Sequence, residues 1–152
     1  KVFADTEQLQ SFWQAFAKGD SEAVEQFLNR TLSNSISVFD AKGRDEEREN
    51  SYHMLLVGLL AGKADWLVRS NVEAGEGFAD IIVETDDLDA GVIVELKYAQ
   101  TMTAMEKSCA KALAQIRAKR YAEYLQNNGR EKVLLYGIAF CKKRCRVVAE
   151  KL

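Results

Sequence analysis

The sequence predicts an α/β fold in which helices cover a mixed β-sheet. Apolar residues recur at helical spacing through the first 60 residues, β-branched runs follow between residues 66 and 97, and a long helical pattern then precedes two more apolar runs. Strands and helices in this order are typical of a mixed sheet covered by helices. With 152 residues, 47% of them hydrophobic, the chain can bury a core of its own.

Three helices are predicted in the N-terminal part of the chain. Asp20 provides an N-cap for the second helix. The third spans residues 45–60 and ends near Gly62, after a connection rich in Ser and Asn. Apolar residues at helical spacing define the first two helices: Leu9, Phe12, Trp13, Phe16, Val24, Phe27 and Leu28.

Five strands and one long helix are predicted in the remainder of the chain. The turn-forming residues 86–89 join the second and third strands into a hairpin. The long helix covers residues 103–127 and ends at Asn128-Gly129. The strands are predicted at residues 66–73, 80–84, 92–97, 133–140 and 146–149.

Charge is distributed unevenly along the chain, although the net charge is only −2. Residues 1–104 carry 9 Lys and Arg against 19 Asp and Glu, whereas residues 105–152 carry 12 against 4. A basic C-terminal third on an acidic body is typical of a surface that faces phosphates. Solvated helix faces, together with the Lys142-Lys143-Arg144 turn, explain the same asymmetry equally well.

Cysteine usage and the apolar runs bear on the cellular compartment. Cys109, Cys141 and Cys145 show no disulfide framework spacing, which favours reduced thiols and a cytoplasmic protein. A zinc site at Cys141 and Cys145 is disfavoured, because the only His, His53, is remote in sequence. No apolar run approaches the length that spans a membrane, so we expect no membrane association. Because the chain starts at Lys1, we expect a fragment or processed product.

The predicted hairpin brings three charged residues together. If its turn is symmetric, the midpoint lies between Asp87 and Leu88, and Asp80 lies opposite Glu95. Side chains alternate along a strand, so Glu95 and Lys97 share a face. The opposite face of the hairpin is wholly apolar. Asp80, Glu95 and Lys97 are therefore expected to converge at one end of a buried sheet.

Two neighbouring carboxylates in a buried sheet cost free energy unless a cation joins them. A hard divalent ion, Mg²⁺ or Mn²⁺, suits the two carboxylates together with the main-chain oxygen of Leu96. Lys97 would then orient or deprotonate the metal-bound water, or stabilise a pentacovalent phosphate. A buried salt-bridge network of Asp80, Glu95 and Lys97 without metal is the alternative, and geometry alone favours neither.

The residues of this hairpin and its flanks resemble a known family. Gly77-Phe78-Ala79-Asp80 followed by Glu95-Leu96-Lys97 is similar to the split catalytic motif of the PD-(D/E)XK nuclease superfamily. The resemblance runs from about Ala15 to the end, and extends to the C-terminal nuclease-like domain of bacterial AAA-ATPase-like proteins. The flanking stretches that carry it are residues 49–53, 58–60 and 70–77, Ala112, Gln115-Ile116, Tyr121, residues 137–140 and Lys143.

The resemblance implies a three-layer α/β/α sandwich with a mixed central sheet, of the restriction-endonuclease type. We expect this nuclease-like domain to occupy residues 41–152, and residues 1–40 to form a helical extension packed on it. The resemblance further implies that the full-length bacterial protein carries an ATPase-like domain N-terminal to this chain.

The resemblance also implies roles for individual residues. Asp80 and Glu95 would bind the metal ion, and Lys97 would be catalytic. Glu49, on the third predicted helix, would reach the same metal or its water, and Gln115, on the long helix, would line the edge of the site. Read without the family, Glu49 belongs to a solvated acidic helix start and Gln115 to an exposed helix face.

The resemblance implies a divalent-metal-dependent nuclease that hydrolyses phosphodiester bonds in DNA or RNA. Two features depart from the family: Phe78 stands where relatives often carry Arg, and the proline of the superfamily name is absent. The alternative is a non-catalytic module of nuclease fold that regulates or docks onto an ATPase-like domain, alone or as a homodimer. A nuclease fold adapted to damaged nucleic acid, or to a toxin or defence role, also stays open.

Overall fold

Helices on both faces of one mixed β-sheet make up residues 6–34 and 45–152, the part of the chain that this computed structural model describes. The predicted order of three helices, three strands, a helical segment and two strands is confirmed. The connection between the second and third helices, with the expected domain boundary at residue 40, lies outside the described residues. The elements are α1 (Thr6–Lys18), α2 (Ser21–Ser33), α3 (Asp45–Ala61), β1 (Leu67–Ala74), β2 (Gly77–Glu84), β3 (Ala90–Tyr98), α4 (Met105–Ala118), α5 (Glu123–Asn127), β4 (Lys132–Cys141) and β5 (Arg144–Lys151).

The five strands lie in the order β1-β2-β3-β4-β5. The first three form an antiparallel meander, β4 is parallel to β3, and β5 is antiparallel to β4. The helical segment α4–α5 provides the crossover connection that the parallel pair requires. With α1–α3 packed on one face and α4–α5 on the other, the molecule has the three-layer α/β/α architecture that the family resemblance implies.

Aromatic side chains hold α1 and α2 on the first face of the sheet. The rings of Phe16 and Tyr136 stack with centroids 4.7 Å apart, and Phe12 stacks on Phe27 at 4.5 Å. The buried hydroxyl of Tyr136 donates to the main-chain oxygen of Phe16 over 2.8 Å, which satisfies its hydrogen-bonding capacity. The N-terminal helices therefore share one hydrophobic core with the sheet.

On the second face, α4 approaches β4 closely. A Cβ at Gly137 would lie 2.5 Å from the main-chain oxygen of Cys109, a separation that only glycine allows. Ile82, Ile93 and Leu135 are buried between the sheet and the C-terminal helices. This close approach brings the polar edge of α4 alongside β3.

The prediction of one helix over residues 103–127 is wrong, because the segment forms two helices. Arg120 adopts a left-handed φ of 56° directly after α4. The N–H groups of Arg120 and Tyr121 donate to the main-chain oxygens of Arg117 and Ile116, which are the two hydrogen bonds of a Schellman motif. Glycine usually occupies such a left-handed position, and without one the sequence carries no signal for the break.

Strand β2 begins at Gly77, earlier than the predicted start at residue 80, because residues 77–79 also pair with β1.

None of the helices in the described ranges combines the length and the apolar character needed to cross a membrane.

Candidate active site

The β2–β3 hairpin sets the position of the charged residues. Its register is the one predicted from a symmetric turn, with Ile81 paired to Val94. Continuing this register by one residue places Asp80 opposite Glu95. The guanidinium of Arg130 donates to three main-chain oxygens of the turn, which anchors the hairpin at its far end.

At Asp80 the pairing of β2 with β1 is interrupted for one residue, and its pairing with β3 ends. Asn71, which lies opposite on β1, adopts a left-handed φ of 52°, and Asp80 has no ladder partner on β1 or β3. Ile81 lies in the core beneath α1–α3, whereas Ala79 lies in the core beneath α4. Ordinary alternation would place both on one face. Asp80 therefore occupies a twist in β2 at which the side chains change faces.

Carboxylates take the place of the missing ladder hydrogen bonds. The N–H of Asp80 donates to Oε1 of Glu95 over 3.3 Å, and the N–H of Leu96 donates to Oδ2 of Asp80 over 2.8 Å. Glu95 is only 3% exposed, and Asp80 is partly buried. The main chain of each strand thus holds the carboxylate of the other, and the two acidic residues converge.

Gln115 of α4 connects Lys97 to Glu95. Its Nε2 donates to Oε2 of Glu95 over 2.7 Å and to the hydroxyl of Tyr121 over 3.1 Å. Its Oε1 accepts from Nζ of Lys97 over 2.7 Å. The residue expected to line the edge of the site therefore bridges two members of the charged cluster.

Lys97 does not form the salt-bridge network considered from the sequence. Across the described residues, no ion pair within 4.0 Å joins its ammonium to Asp80 or Glu95. The amide of Gln115 holds the ammonium instead. The charges of Lys97 and of the carboxylates are therefore not neutralised by direct contact with each other.

Burial makes ionisation of the two carboxyl groups costly. Burial, and to a lesser extent the nearby charge of Asp80, raises the pKa of Glu95 to about 8. Burial also raises the pKa of Asp80, against the hydrogen bond from the N–H of Leu96 and the charges of His53 and Lys97. Buried carboxylates in this situation gain from a cation that binds both of them.

The donor set fits a hard divalent ion. Carboxylate oxygens are the ligands that Mg²⁺ and Mn²⁺ prefer, and Mg²⁺ is usually bound through one or two carboxylates while it keeps several waters. Asp80 and Glu95 could hold such an ion together with the main-chain oxygen of Leu96. Within the described ranges, no group of three His, Cys, Asp or Glu side chains could hold a metal ion. The acidic side chains would therefore supply two ligands.

Helix α3 brings two further polar side chains to the site. Glu49 is partly buried, and its charge raises the pKa of Glu95, so it lies near the carboxylates; its role as a metal ligand stays a prediction. His53, one turn later, forms a 2.6 Å hydrogen bond between its Nε2 and Oγ of Ser70, and its charge lowers the pKa of Asp80. The sequence gives no signal for the contact with Ser70, because helical spacing does not reveal contacts between a helix and a strand.

Comparison with known protein families agrees with this geometry. Residues 47–150, more than half of the chain, match the PD-(D/E)XK nuclease superfamily. The chain belongs to the PD-(D/E)XK nuclease superfamily. The match runs from α3 to β5 and so contains every element that contributes to the site. No curated protein matches the chain.

The PD-(D/E)XK motif fits three residues of the site. From the sequence, Asp80 is predicted as the first acidic residue and Glu95-Leu96-Lys97 as the acidic residue, spacer and lysine of the second half, and this assignment stays a prediction. PD-(D/E)XK nucleases generally use divalent metal ions. Membership of the superfamily therefore supports nuclease activity for this chain.

Proposed function

We propose that the protein is a divalent-metal-dependent nuclease that hydrolyses phosphodiester bonds in DNA or RNA. The observation that carries the proposal is the arrangement of Asp80 and Glu95, each held by the main chain of the other strand, with Lys97 fixed beside them by Gln115. A fixed pair of carboxylates, of which Glu95 is buried and Asp80 partly buried, next to a cation that contacts neither of them is suited to a divalent ion and a phosphate.

Asp80 and Glu95 are the proposed metal ligands, with the main-chain oxygen of Leu96 as a third ligand and Glu49 reaching a water bound to the metal. A bound Mg²⁺ or Mn²⁺ supplies Lewis acidity toward a phosphate oxygen and lowers the pKa of water. Glu95 has to release its proton to bind the ion, because its pKa without metal is about 8. Metal affinity should therefore rise with pH up to that value.

Lys97 is the proposed catalytic cation, and Gln115 is a positioning residue that acts through it. In hydrolysis, water loses a proton and forms a bond to phosphorus, the bond from phosphorus to the leaving oxygen breaks, and the leaving oxygen takes up a proton, so no net proton is gained or lost. The ammonium of Lys97 stabilises the negative charge that develops on the phosphate. Because Gln115 holds this ammonium and no carboxylate among the described residues lies within 4.0 Å of it, its charge remains available to the substrate.

Lysines along α4 and at its C-terminal end support a nucleic-acid substrate. Lys111 of α4 and the C-cap residue Lys119 lie one helical turn on either side of Gln115. Both are exposed, and neither forms an ion pair with any residue that the structure describes. Arg117, on the other edge of α4, instead pairs with Glu150 at 2.9 Å. Unneutralised positive charge is therefore concentrated beside the site, where it can contact a phosphate backbone.

Cleavage assays on labelled DNA and RNA oligonucleotides, with Mg²⁺ or Mn²⁺, test the proposal. We expect divalent-dependent cleavage that falls by about 100-fold or more in Asp80→Asn, Glu95→Gln and Lys97→Met. Asp89→Asn, which changes an exposed acid in the β2–β3 turn, is the matched control and should keep wild-type activity. Full activity in all three site variants would contradict the proposal.

A metal titration separates the nuclease from a non-catalytic role. A site that binds Mn²⁺ or Mg²⁺ raises the melting temperature of the wild-type protein, and Glu95→Gln should remove most of that shift. Absence of any shift with either ion would favour the alternative, a nuclease-fold module that docks onto an ATPase-like domain, alone or as a homodimer.

A further inference from the structure

Phe78 is an exposed aromatic residue in the strand that carries Asp80. It is 62% exposed, and no other aromatic residue in the described ranges 6–34 and 45–152 is classed as exposed. Phenylalanine usually buries its ring, because the ring offers a large apolar surface. Two residues along a strand correspond to about 7 Å, so the backbone of Phe78 lies that close to Asp80.

The backbone around Phe78 holds its ring away from the core. Ala79 is fully buried beneath α4, and neighbouring residues of a strand point to opposite faces. A Cβ at Gly77 would lie 3.2 Å from the hydroxyl of Tyr121, so the main chain there packs against that side chain. Phe78 is thus directed away from the α4 core by a packed strand, rather than carried by a loose loop.

The position of this ring restricts the kind of nucleic acid that could contact it. The main chain of Phe78 lies about 7 Å along the strand from Asp80, and its exposed ring extends from there, so a nucleotide adjoining a phosphate bound at Asp80 and Glu95 comes within reach of the ring. In a duplex, the groove exposes only the edges of the bases. An aromatic ring stacks on a base whose flat face is open, which is a base that is unpaired or turned out of the helix.

We propose that Phe78 is a stacking platform for the nucleobase next to the scissile phosphate, and that the substrate is single-stranded or locally unpaired nucleic acid. This inference rests on the proposed nuclease function and adds the substrate class of the same site. The lysines of α4 contact phosphates whether or not the strand is paired, whereas Phe78 selects strands with an open base.

Binding measurements on a cleavage-deficient background test the stacking role. In the Lys97→Met protein with Mg²⁺, fluorescence anisotropy gives the affinity for a labelled single strand and for the matched duplex. We expect Phe78→Ala to weaken single-strand binding by about tenfold and to leave duplex binding within about twofold of the value before the substitution. Phe78→Trp should retain the single-strand affinity, because it keeps an aromatic ring. Leu88→Ala removes another exposed apolar side chain, at the far end of the hairpin, and should change neither affinity.

A fluorescent base gives a second measurement that does not depend on activity. We expect 2-aminopurine next to the scissile phosphate to lose emission on binding when Phe78 is present, and to keep it in Phe78→Ala. Unchanged single-strand affinity and quenching in Phe78→Ala would overturn the stacking role alone. The stacking role would also be overturned if Phe78→Ala kept its single-strand affinity but lost self-association. That result would assign the ring to a contact between copies of the protein. If the wild-type protein neither binds nor cleaves any oligonucleotide, the nuclease proposal fails and the stacking role fails with it.

Discussion

Gln115 shows how one uncharged side chain can order a charged site. Its amide accepts from Lys97 and donates to Glu95, so the cation and the carboxylate are fixed without contacting each other. The hydroxyl of Tyr121 accepts from the same amide nitrogen and restricts its orientation. Partners of this kind orient the groups that bind metal and substrate, and enzymes depend on them strongly.

We expect Gln115→Ala to lower kcat by about 10- to 100-fold, the range typical of residues that orient metal ligands and catalytic groups. Without the amide, Lys97 is free to pair directly with a carboxylate, which would neutralise the charge that the phosphate needs. Steady-state cleavage kinetics should show a smaller change in KM than in kcat. Gln126→Ala, which alters an exposed side chain of α5, serves as the control. An unchanged kcat in Gln115→Ala would show that Lys97 does not depend on this contact.

At the scale of elements, local periodicity predicts the strands and the hairpin register, but not the contacts between distant segments. The register follows from a short turn and two alternating runs, so the convergence of Asp80 and Glu95 is predictable from spacing. The bridge from Gln115 depends on how α4 packs on the sheet, which no local pattern encodes. The break after α4 is unpredictable for a different reason, since Arg120 occupies a left-handed position without the usual glycine.

The β1–β2 turn packs against the end of α4 and joins the two halves of the site. Gly75 has a φ of 53°, and a Cβ there would lie 2.1 Å from the main-chain oxygen of Lys119. The N–H of Glu76 donates to the same oxygen over 2.8 Å. This contact ties the strand that carries Asp80 to the helix that carries Gln115.

Substituting two glycines by alanine measures how much this packing contributes. Gly75 and Gly129 both have positive φ, but no atom in the described part of the chain lies within 4 Å of a Cβ added at Gly129. Backbone strain costs about 1 kcal/mol at either position. In Gly75→Ala the added methyl group also displaces the β1–β2 turn from α4. We therefore expect Gly75→Ala to lower the free energy of unfolding by about 1–3 kcal/mol more than Gly129→Ala does. Urea denaturation of both variants measures this difference. Equal losses in the free energy of unfolding would mean that the contact between the turn and α4 does not stabilise the fold.

At the scale of the whole molecule, the site lies between two hydrophobic cores. The sheet separates a larger core with α1–α3 from a smaller one with α4–α5, and the side chains of β2 change from one to the other at Asp80. Glu95, on the central strand β3 between these cores, is only 3% exposed. Its protonation is therefore coupled to the global stability of the fold.

Without a metal ion, we expect the free energy of unfolding to fall as the pH rises from about 4.5 to about 8. The pKa of Glu95 is about 8 in the folded protein and 4.5 without the fold, so in this window the folded state keeps a proton that the unfolded state has lost. Asp80, whose pKa is also raised, acts in the same direction. Urea denaturation with a chelator measures the slope, which should be shallower in Glu95→Gln. Identical slopes would contradict the raised pKa. Mn²⁺ should restore stability near pH 8, because the ion takes over the charge compensation that the proton provides at lower pH.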